Sequence, residues 1–190
     1  MVYNRSDLIS ETKKGKRYKY IFFWGHTPCA DGQIGPSCLS QWWGCRFAAD
    51  GVEYSCAEQY MMAEKARMFG DQEMLEKILE ARDPKAMKAY GRAVRHFDPA
   101  RWDGACYDIV KSGNLAKFSQ NQELWDYLKS TGNRILVEAS PWDRIWGIGM
   151  RKSDPAAGDP AKWRGTNLLG FALTEVRDIL LQRESEVSGR

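Results

Sequence analysis

From residue 55 to residue 132 the chain is punctuated by helix stops and starts at short intervals, which leaves little room for anything but packed helices. Gly70 is followed by Asp71, Asp83 by Pro84 and Asp98 by Pro99, and Gly113, Asn121 and Gly132 continue the series. An aspartate accepts the unpaired N–H groups of a first helical turn, proline at the first helical position needs no N–H partner, and glycine takes the left-handed turn that ends a helix. Ser55 with Glu58 has the spacing of a capping box, so a first helix is expected over about 56–69. Further helices are expected over about 72–81, 84–91 and 99–112, the last ended by Gly113. A short helix over 114–119 and one from Asn121 to Gly132 complete the block.

Short strands flank it. "YKYIFFW" (18–24) reads as a buried strand, "RFAADGVEYS" (46–55) as a hairpin turning at Asp50-Gly51, and "RILVEA" (134–139) as another strand. The loop "KSDPAAGDPAKWRGTN" leads into a final helix over about 167–183, with Leu168, Phe171 or Ala172, Val176, Ile179 and Leu180 toward the core. Residues 1–17 are polar and expected to fray, and 184–190 form a tail. The expected fold is mainly α: a single compact helical domain over 18–183 with a few short β-strands.

Composition excludes several classes. With 43% hydrophobic and 28% charged residues in 190, the chain has the makeup of an ordinary globular protein. The net charge of +3, from 28 basic and 25 acidic residues, is too balanced for a broad nucleic-acid surface, though a local basic pocket for phosphates remains open. No apolar run of about 18 residues occurs, and the first residues lack a signal-peptide core. A cytoplasmic protein without membrane attachment is expected, with the nucleus also open to it in a eukaryote. Five cysteines without a CxxC pair, and only His26 and His96, make no ligand set for zinc. His26 and Cys29 are close, but nothing completes them; reduced cytosolic thiols are the expectation. No P-loop, GxGxxG, HExxH or GxSxG is present, which removes the kinase, Rossmann, zincin and α/β-hydrolase readings. Eight tryptophans suit stacking on bases or sugar faces as well as core packing.

Three constellations have chemistry to offer. In "CAEQYMMAEKARMF" (56–69), Glu58 and Lys65 are seven residues apart and share a helix face, with Met61, Met62, Ala66 and Phe69 continuing an apolar surface. Glu58 serves as a cap residue or as an acid/base; Lys65 is a solvated surface lysine or a nucleophile. Apolar surroundings lower a lysine's pKa and release the neutral amine, which attacks carbonyls and masked aldehydes such as the anomeric carbon of ribose. In "SPWDRIWGIG" (140–149), Asp143 sits between Trp142 and Trp146 just after a strand. Its plain reading is an Asx-turn, though a loop directly after a strand is also a usual place for working residues. Trp142 and Trp146 are four apart and share a face if the segment is locally helical, for core packing or for binding. In "KFSQNQELW" (117–125), Lys117, Gln120 and Asn121 offer polar contacts, unless Asn121 is only a cap and Lys117 only surface. Arg92 and Arg95 are phosphate candidates or surface ion-pair partners. Gly165, Thr166 and Asn167 open the last helix, whose N-terminus favours anions.

Read together, FFWGH (22–26), CLSQWWGCRF (38–47), GVEYSCAEQYMMAEKARMFGD (51–71), GRAVRHFDPARWD (91–103), KFSQN (117–121), LVEASPWDRIWGIG (136–149) and WRGTNLLGFAL (163–173) resemble the NADAR, or YbiA-like, family in that family's order. The resemblance implies a mostly helical fold and an N-glycosidase needing no cofactor or metal. Its substrate is ADP-ribosylated guanine in nucleic acid or nucleotide, from which ADP-ribose is removed, or the phosphoribosylamino-pyrimidine intermediates of riboflavin synthesis. A non-catalytic ADP-ribose or NAD binding module is the third alternative, and one that loss of the lysine would favour. The resemblance makes Lys65 the lysine that forms a Schiff base, Glu58 its acid/base or tuner, and Asp143 a second proton-transfer or ribose-hydroxyl candidate. On the same reading Trp146 is expected to line the pocket and Trp142 to pack, with Gly147 and Gly149 letting backbone approach the ligand. Trp24, Gly25, Phe69, Arg92, Trp102, Lys117, Gln120, Asn121, Trp146, Gly147 and Asn167 become substrate-binding candidates, and a monomer is expected. Where many members read EHYYQAQKF, this chain reads EQYMMAEKA, so Met62 and Ala66 depart from the pattern within the helix that carries Lys65.

Overall fold

The computed structural model describes residues 2–189. In chain order its elements are α1 (Arg5–Lys13), β1 (Tyr20–Phe23), β2 (Phe47–Ala49), β3 (Val52–Tyr54), α2 (Ala57–Met68), α3 (Gln72–Glu80), α4 (Pro84–Arg92), α5 (Pro99–Gln120), α6 (Gln122–Ser130), β4 (Ile135–Glu138) and α7 (Leu168–Ser188). Two short 3-10 turns, Pro36–Leu39 and Pro160–Lys162, lie in the connections. The expected mainly α class with a few short strands is what the chain adopts. The elements divide into two compact units, residues 1–40 with 123–190, and residues 41–122.

The first unit is drawn from both ends of the chain. β1 and β4 pair in parallel, from Tyr20 opposite Ile135 to Phe23 opposite Glu138. Ile135, Leu136 and Val137 are buried, α7 packs on β4, and Leu169, Phe171, Ala172, Leu173 and Val176 of α7 are buried. The approach is close: a Cβ on Gly170 would stand 2.1 Å from the Leu136 carbonyl oxygen, so only glycine fits there. Buried Arg177 donates to Thr131 Oγ1 at 2.9 Å and to the Arg134 carbonyl at 2.8 Å, spending its charge on the turn that enters β4. The first residues are not a frayed segment. Asn4 caps α1 by accepting from Asp7 N–H, Leu8 is wholly buried, Tyr3 donates to Asp178 and Arg5 donates to the Pro160 and Ala161 carbonyls. Buried Val2 and Leu8, with Tyr3 and Arg5 as polar anchors, dock a helix whose composition is otherwise polar. At the other end α7 continues to Ser188, beyond the expected stop at 183.

In the second unit α2 is the centre, with α3, α4 and α5 packed around it. The caps work as the sequence implies at three helices: Asp71, Asp83 and Asp98 each accept first-turn N–H groups. The hairpin turns at Asp50 (φ 50) and Gly51 (φ 77), the two left-handed residues a two-residue loop requires. Two expectations fail. The capping box does not form: Ser55 N–H and Oγ–H both donate to Gln59 Oε1, while Glu58 N–H donates to the Gln41 carbonyl. Gln59 also donates to the Ile78 and Leu79 carbonyls and so ties the start of α2 to the end of α3. Nor does Gly113 end a helix. α5 runs unbroken through it for 22 residues. A Cβ at Gly113 would lie 2.4 Å from the Tyr60 ring, so this glycine lets α2 and α5 approach.

Candidate functional site

Lys65 lies in the third turn of α2, half-buried. Its Nζ sits 4.0 Å from the centroid of the Phe97 ring and 5.6 Å from that of Trp102. Phe69, one turn further along α2, meets Phe97 edge to face at 5.3 Å, and the Arg101 guanidinium lies 5.4 Å from the Phe69 ring. Loss of solvation pushes the Lys65 pKa down, and the Arg92 charge at the end of α4 pushes it further. Lys65 forms no ion pair among the described residues; its neighbours are aromatic faces and another cation. Desolvation and like charge favour the neutral amine, whereas the ring faces stabilise the ammonium.

The segment that supplies Phe97 is held at both ends. Arg95 donates through its backbone N–H and its guanidinium to the carboxylate of Asp71, the cap of α3. Asp98 caps α5, and His96 between them takes a left-handed φ of 56 that turns the chain. Arg95 is thus an ion-pair partner of Asp71 rather than an unpaired phosphate ligand. Phe97 and Arg101 were missed by sequence reasoning, although a signal was present. Phe97 precedes the cap and Trp102 follows it by four residues, the two positions of a hydrophobic staple.

Glu58 begins the same face of α2, about 10 Å before Lys65 along the axis, and is only 5% exposed. Lys117 of α5 is wholly buried, and both Glu58 and Lys117 act electrostatically on the Cys56 thiol. Lys117 is therefore an interior residue, not a surface lysine. Burial pushes the thiols of Cys45, Cys56 and Cys106 up, which makes them poor nucleophiles. Gln120 and Asn121 spend their amides on the hairpin side of the unit. Gln120 bonds both N–H and carbonyl of Ala48, and Asn121 donates to the Arg46 and Lys117 carbonyls. Met62 and Ala66 are packing positions: both are buried, and Met62 Sδ lies where a Cβ on Gly91 would stand, 1.9 Å away.

In the first unit, residues 140–149 form a stitched loop. Ser140 Oγ accepts from the N–H groups of Trp142 and Asp143, and Asp143 Oδ1 accepts from Ile145 N–H at 2.9 Å and Trp146 N–H at 2.7 Å. Asp143 thus makes the Asx-turn, and its second oxygen has no hydrogen bond among the described residues. The N–H groups of residues 164 and 166–169 donate to the carbonyls of Ile148, Arg144, Gly147, Ile145 and Trp146. The N-terminus of α7 is consequently occupied by this loop and does not present an open anion site. Asn167 is wholly buried, donates to the Leu136 carbonyl and accepts from Glu138 N–H, so it clamps β4 rather than reaching a nucleotide. Gly147 and Gly165 serve backbone packing, since a Cβ on Gly165 would lie 2.2 Å from the Gly147 carbonyl oxygen. Trp146 is half-buried, but Trp142, expected to pack, is 81% exposed. Trp24 is exposed and Gly25 follows it at φ 78.

The helix at the centre of the second unit thus carries a half-buried lysine among aromatic rings. Residues 22–181 match the NADAR domain model, and the chain belongs to that family. It is 44% identical over 165 residues to N-glycosidase R617 of Acanthamoeba polyphaga mimivirus, covering 84% of this chain and 95% of that one. It is 39% identical over 141 residues to protein irg-1 of Caenorhabditis elegans, covering 73% of this chain and 66% of the other. The NMR structure of Escherichia coli YbiA shares the fold, with a TM-score of 0.71 at 24% identity over 90% of each chain. Among the described residues no group of three or more His, Cys, Asp or Glu is placed to hold a metal ion, and no helix is long and apolar enough to cross a membrane.

Proposed function

We propose that this chain is an N-glycosidase that removes ADP-ribose from guanine bases of nucleic acid through a Schiff base on Lys65. The class, hydrolysis of an N-glycosyl bond, is supported by membership in the NADAR family and by relatives named N-glycosidases, R617 and YbiA. The observation that carries the mechanism is the surroundings of Lys65, which include desolvating rings and Arg92 but no paired carboxylate. A lysine locked to a carboxylate would stay protonated; this one has a route to the free amine.

The chemistry follows from the bond to be cut. Ribose joined to an exocyclic amino nitrogen opens to an imine at C1. The Lys65 amine adds to C1, the guanine amino group leaves with a proton, and a lysine imine remains. Water adds to that imine, releasing Lys65 and the aldehyde of ADP-ribose, which recloses to the ring. Glu58 and the unbonded oxygen of Asp143 are the proposed proton carriers. Trp24, Gly25, Phe69, Arg92, Trp102 and Trp146 are the proposed substrate contacts, to which Phe97 and Arg101 are added.

The test is a guanine-ADP-ribosylated oligonucleotide incubated with wild type and Lys65→Ala. Wild type is expected to release ADP-ribose, and Lys65→Ala to lose at least about a hundredfold in rate. Borohydride added during turnover is expected to fix a covalent adduct at Lys65. An inert wild type sinks the substrate assignment; full activity in Lys65→Ala sinks the Schiff base. Activity confined to a phosphoribosylamino-pyrimidine identifies the riboflavin-type substrate instead.

A further inference from the structure

The loop that holds Asp143 and Trp146 also carries a side chain for which the reaction has no use. Trp142 is 81% exposed, the most exposed large apolar side chain among the described residues, and Ile145 beside it is 58% exposed. A protruding indole on a loose loop would mean little. This backbone is fixed by Ser140 Oγ and Asp143 Oδ1 and by the N–H groups at the start of α7, and Thr166 Oγ1 donates to the Ile145 carbonyl at 2.5 Å. The indole is therefore presented in solvent by a rigid frame, and the frame has already met the ordering cost that binding would otherwise incur.

The same frame carries three arginines beside the one carboxylate of Asp143. The stems of Arg144 and Arg164 converge on Gly149, with Arg144 Cγ 3.1 Å and Arg164 Cβ 3.0 Å from the position of a Cβ there. Arg151 follows two residues later, and all three arginines are exposed. None of the three forms an ion pair among the described residues, although surface lysines and arginines elsewhere in the chain do so repeatedly. Trp24, 54% exposed, leaves β1 at the same carboxyl end of the parallel pair from which this loop leaves β4. Exposed indoles and unpaired arginines carried on one frame match a polyanion whose flat groups are free to stack. That is the chemistry of a single-stranded nucleic acid.

We infer that Trp142, carried on the same frame as Arg144 and Arg164, is a stacking surface for a base of the nucleic-acid strand that carries the modified guanine. This rests on the glycosidase reading for its substrate, but the surface can be tested without catalysis. Trp142 lies outside the machinery proposed for bond cleavage, so its loss should be felt only when a strand is attached.

The first measurement is fluorescence anisotropy of an unmodified, fluorescein-labelled 12-residue single-stranded DNA. Trp142→Ala is expected to raise Kd about tenfold, the scale of one lost base stack, and Trp142→Phe to restore most of it. Arg144→Gln with Arg164→Gln is expected to flatten the salt dependence of Kd. The second measurement compares release of ADP-ribose from a modified oligonucleotide and from ADP-ribosylated guanosine. Trp142→Ala should lower kcat/KM about tenfold on the oligonucleotide and leave the nucleoside within twofold, with an unchanged Tm as the folding control. Equal Kd for wild type and Trp142→Ala overturns the inference. So does a Trp142-dependent partition onto phosphatidylserine vesicles with no DNA binding, which would make the patch a membrane contact. A wild type inert on both modified substrates removes the ADP-ribosyl-guanine assignment, and the anisotropy comparison still decides the stacking surface.

Discussion

Lys65 was legible from sequence as a helix lysine on an apolar surface, but what sets its protonation was not, because the ring nearest to it comes from another element. Phe97 is 41% exposed and stands 4.0 Å from Nζ. A cation over an aromatic face gains about 0.5–1 kcal/mol at an exposed site, and about 2 when desolvated, so the ring holds the ammonium against desolvation and Arg92. The acidic limb of kcat/KM reports the free amine. The folded pKa of Lys65 lies below its ordinary value, so that limb should lie below the ordinary lysine range. Phe97→Leu keeps apolar bulk but removes the ring face, which should move the limb to lower pH by up to about one unit. Phe97→Ala admits water and should move it upward. A pH profile unchanged in both variants would show that Phe97 does not govern the lysine. At the same scale Asn167 and Lys117 show the limit of motif reading. Both residue types suit a nucleotide, but burial fixes where they point, and burial depends on parts of the chain far away in sequence.

The helices were the most legible elements because their ends are chemically local: an aspartate, a proline or a glycine acts on neighbours a few residues away. Asp71 is the strongest case, since it caps α3 and also accepts from the backbone and guanidinium of Arg95, which holds its carboxyl well below the usual carboxylate range. A carboxyl whose folded pKa is depressed contributes stability above its unfolded pKa and loses it as pH falls toward the folded value. Asp71→Asn should therefore lower Tm by a few degrees at pH 7, and the gap from wild type should narrow below about pH 4. A gap constant from pH 7 to pH 3 would mean that the charge is not what matters. Gly113 was misread for the opposite reason, because its requirement is set by a partner helix. In an exposed helix interior, glycine to alanine gains about 1 kcal/mol. Here the new Cβ would meet the Tyr60 ring at 2.4 Å. Gly113→Ala is expected to destabilise the protein by about 1–3 kcal/mol through overpacking, measured by urea unfolding. Stabilisation would show that α2 and α5 have room to spare.

On the scale of the whole molecule, residues 41–122 form one compact unit, and the segments on either side of them form the other. The β1–β4 pairing and the occupation of the start of α7 by carbonyls of residues 144–148 are long-range. No pattern of period two or 3.6 specifies such partners, so the sequence supplied the strands and the loop but not what they join. Net charge is the property of the full chain that sequence does report, and it bears on how the proposed nucleic-acid substrate would be held. Counterion release makes the logarithm of affinity fall with the logarithm of salt by about 0.7 per phosphate neutralised on a single strand. With 28 basic against 25 acidic residues, the balance of charge does not supply a broad basic surface. If a local cluster such as Arg144, Arg151 and Arg164 does the work, about three phosphates are engaged and the slope for a single strand should be near −2. A slope of about −5 or steeper would require a basic surface much broader than this composition provides. A slope near zero, with activity on the free nucleotide intact, would mean that the strand is not held at all and that the enzyme reads only the modified nucleotide.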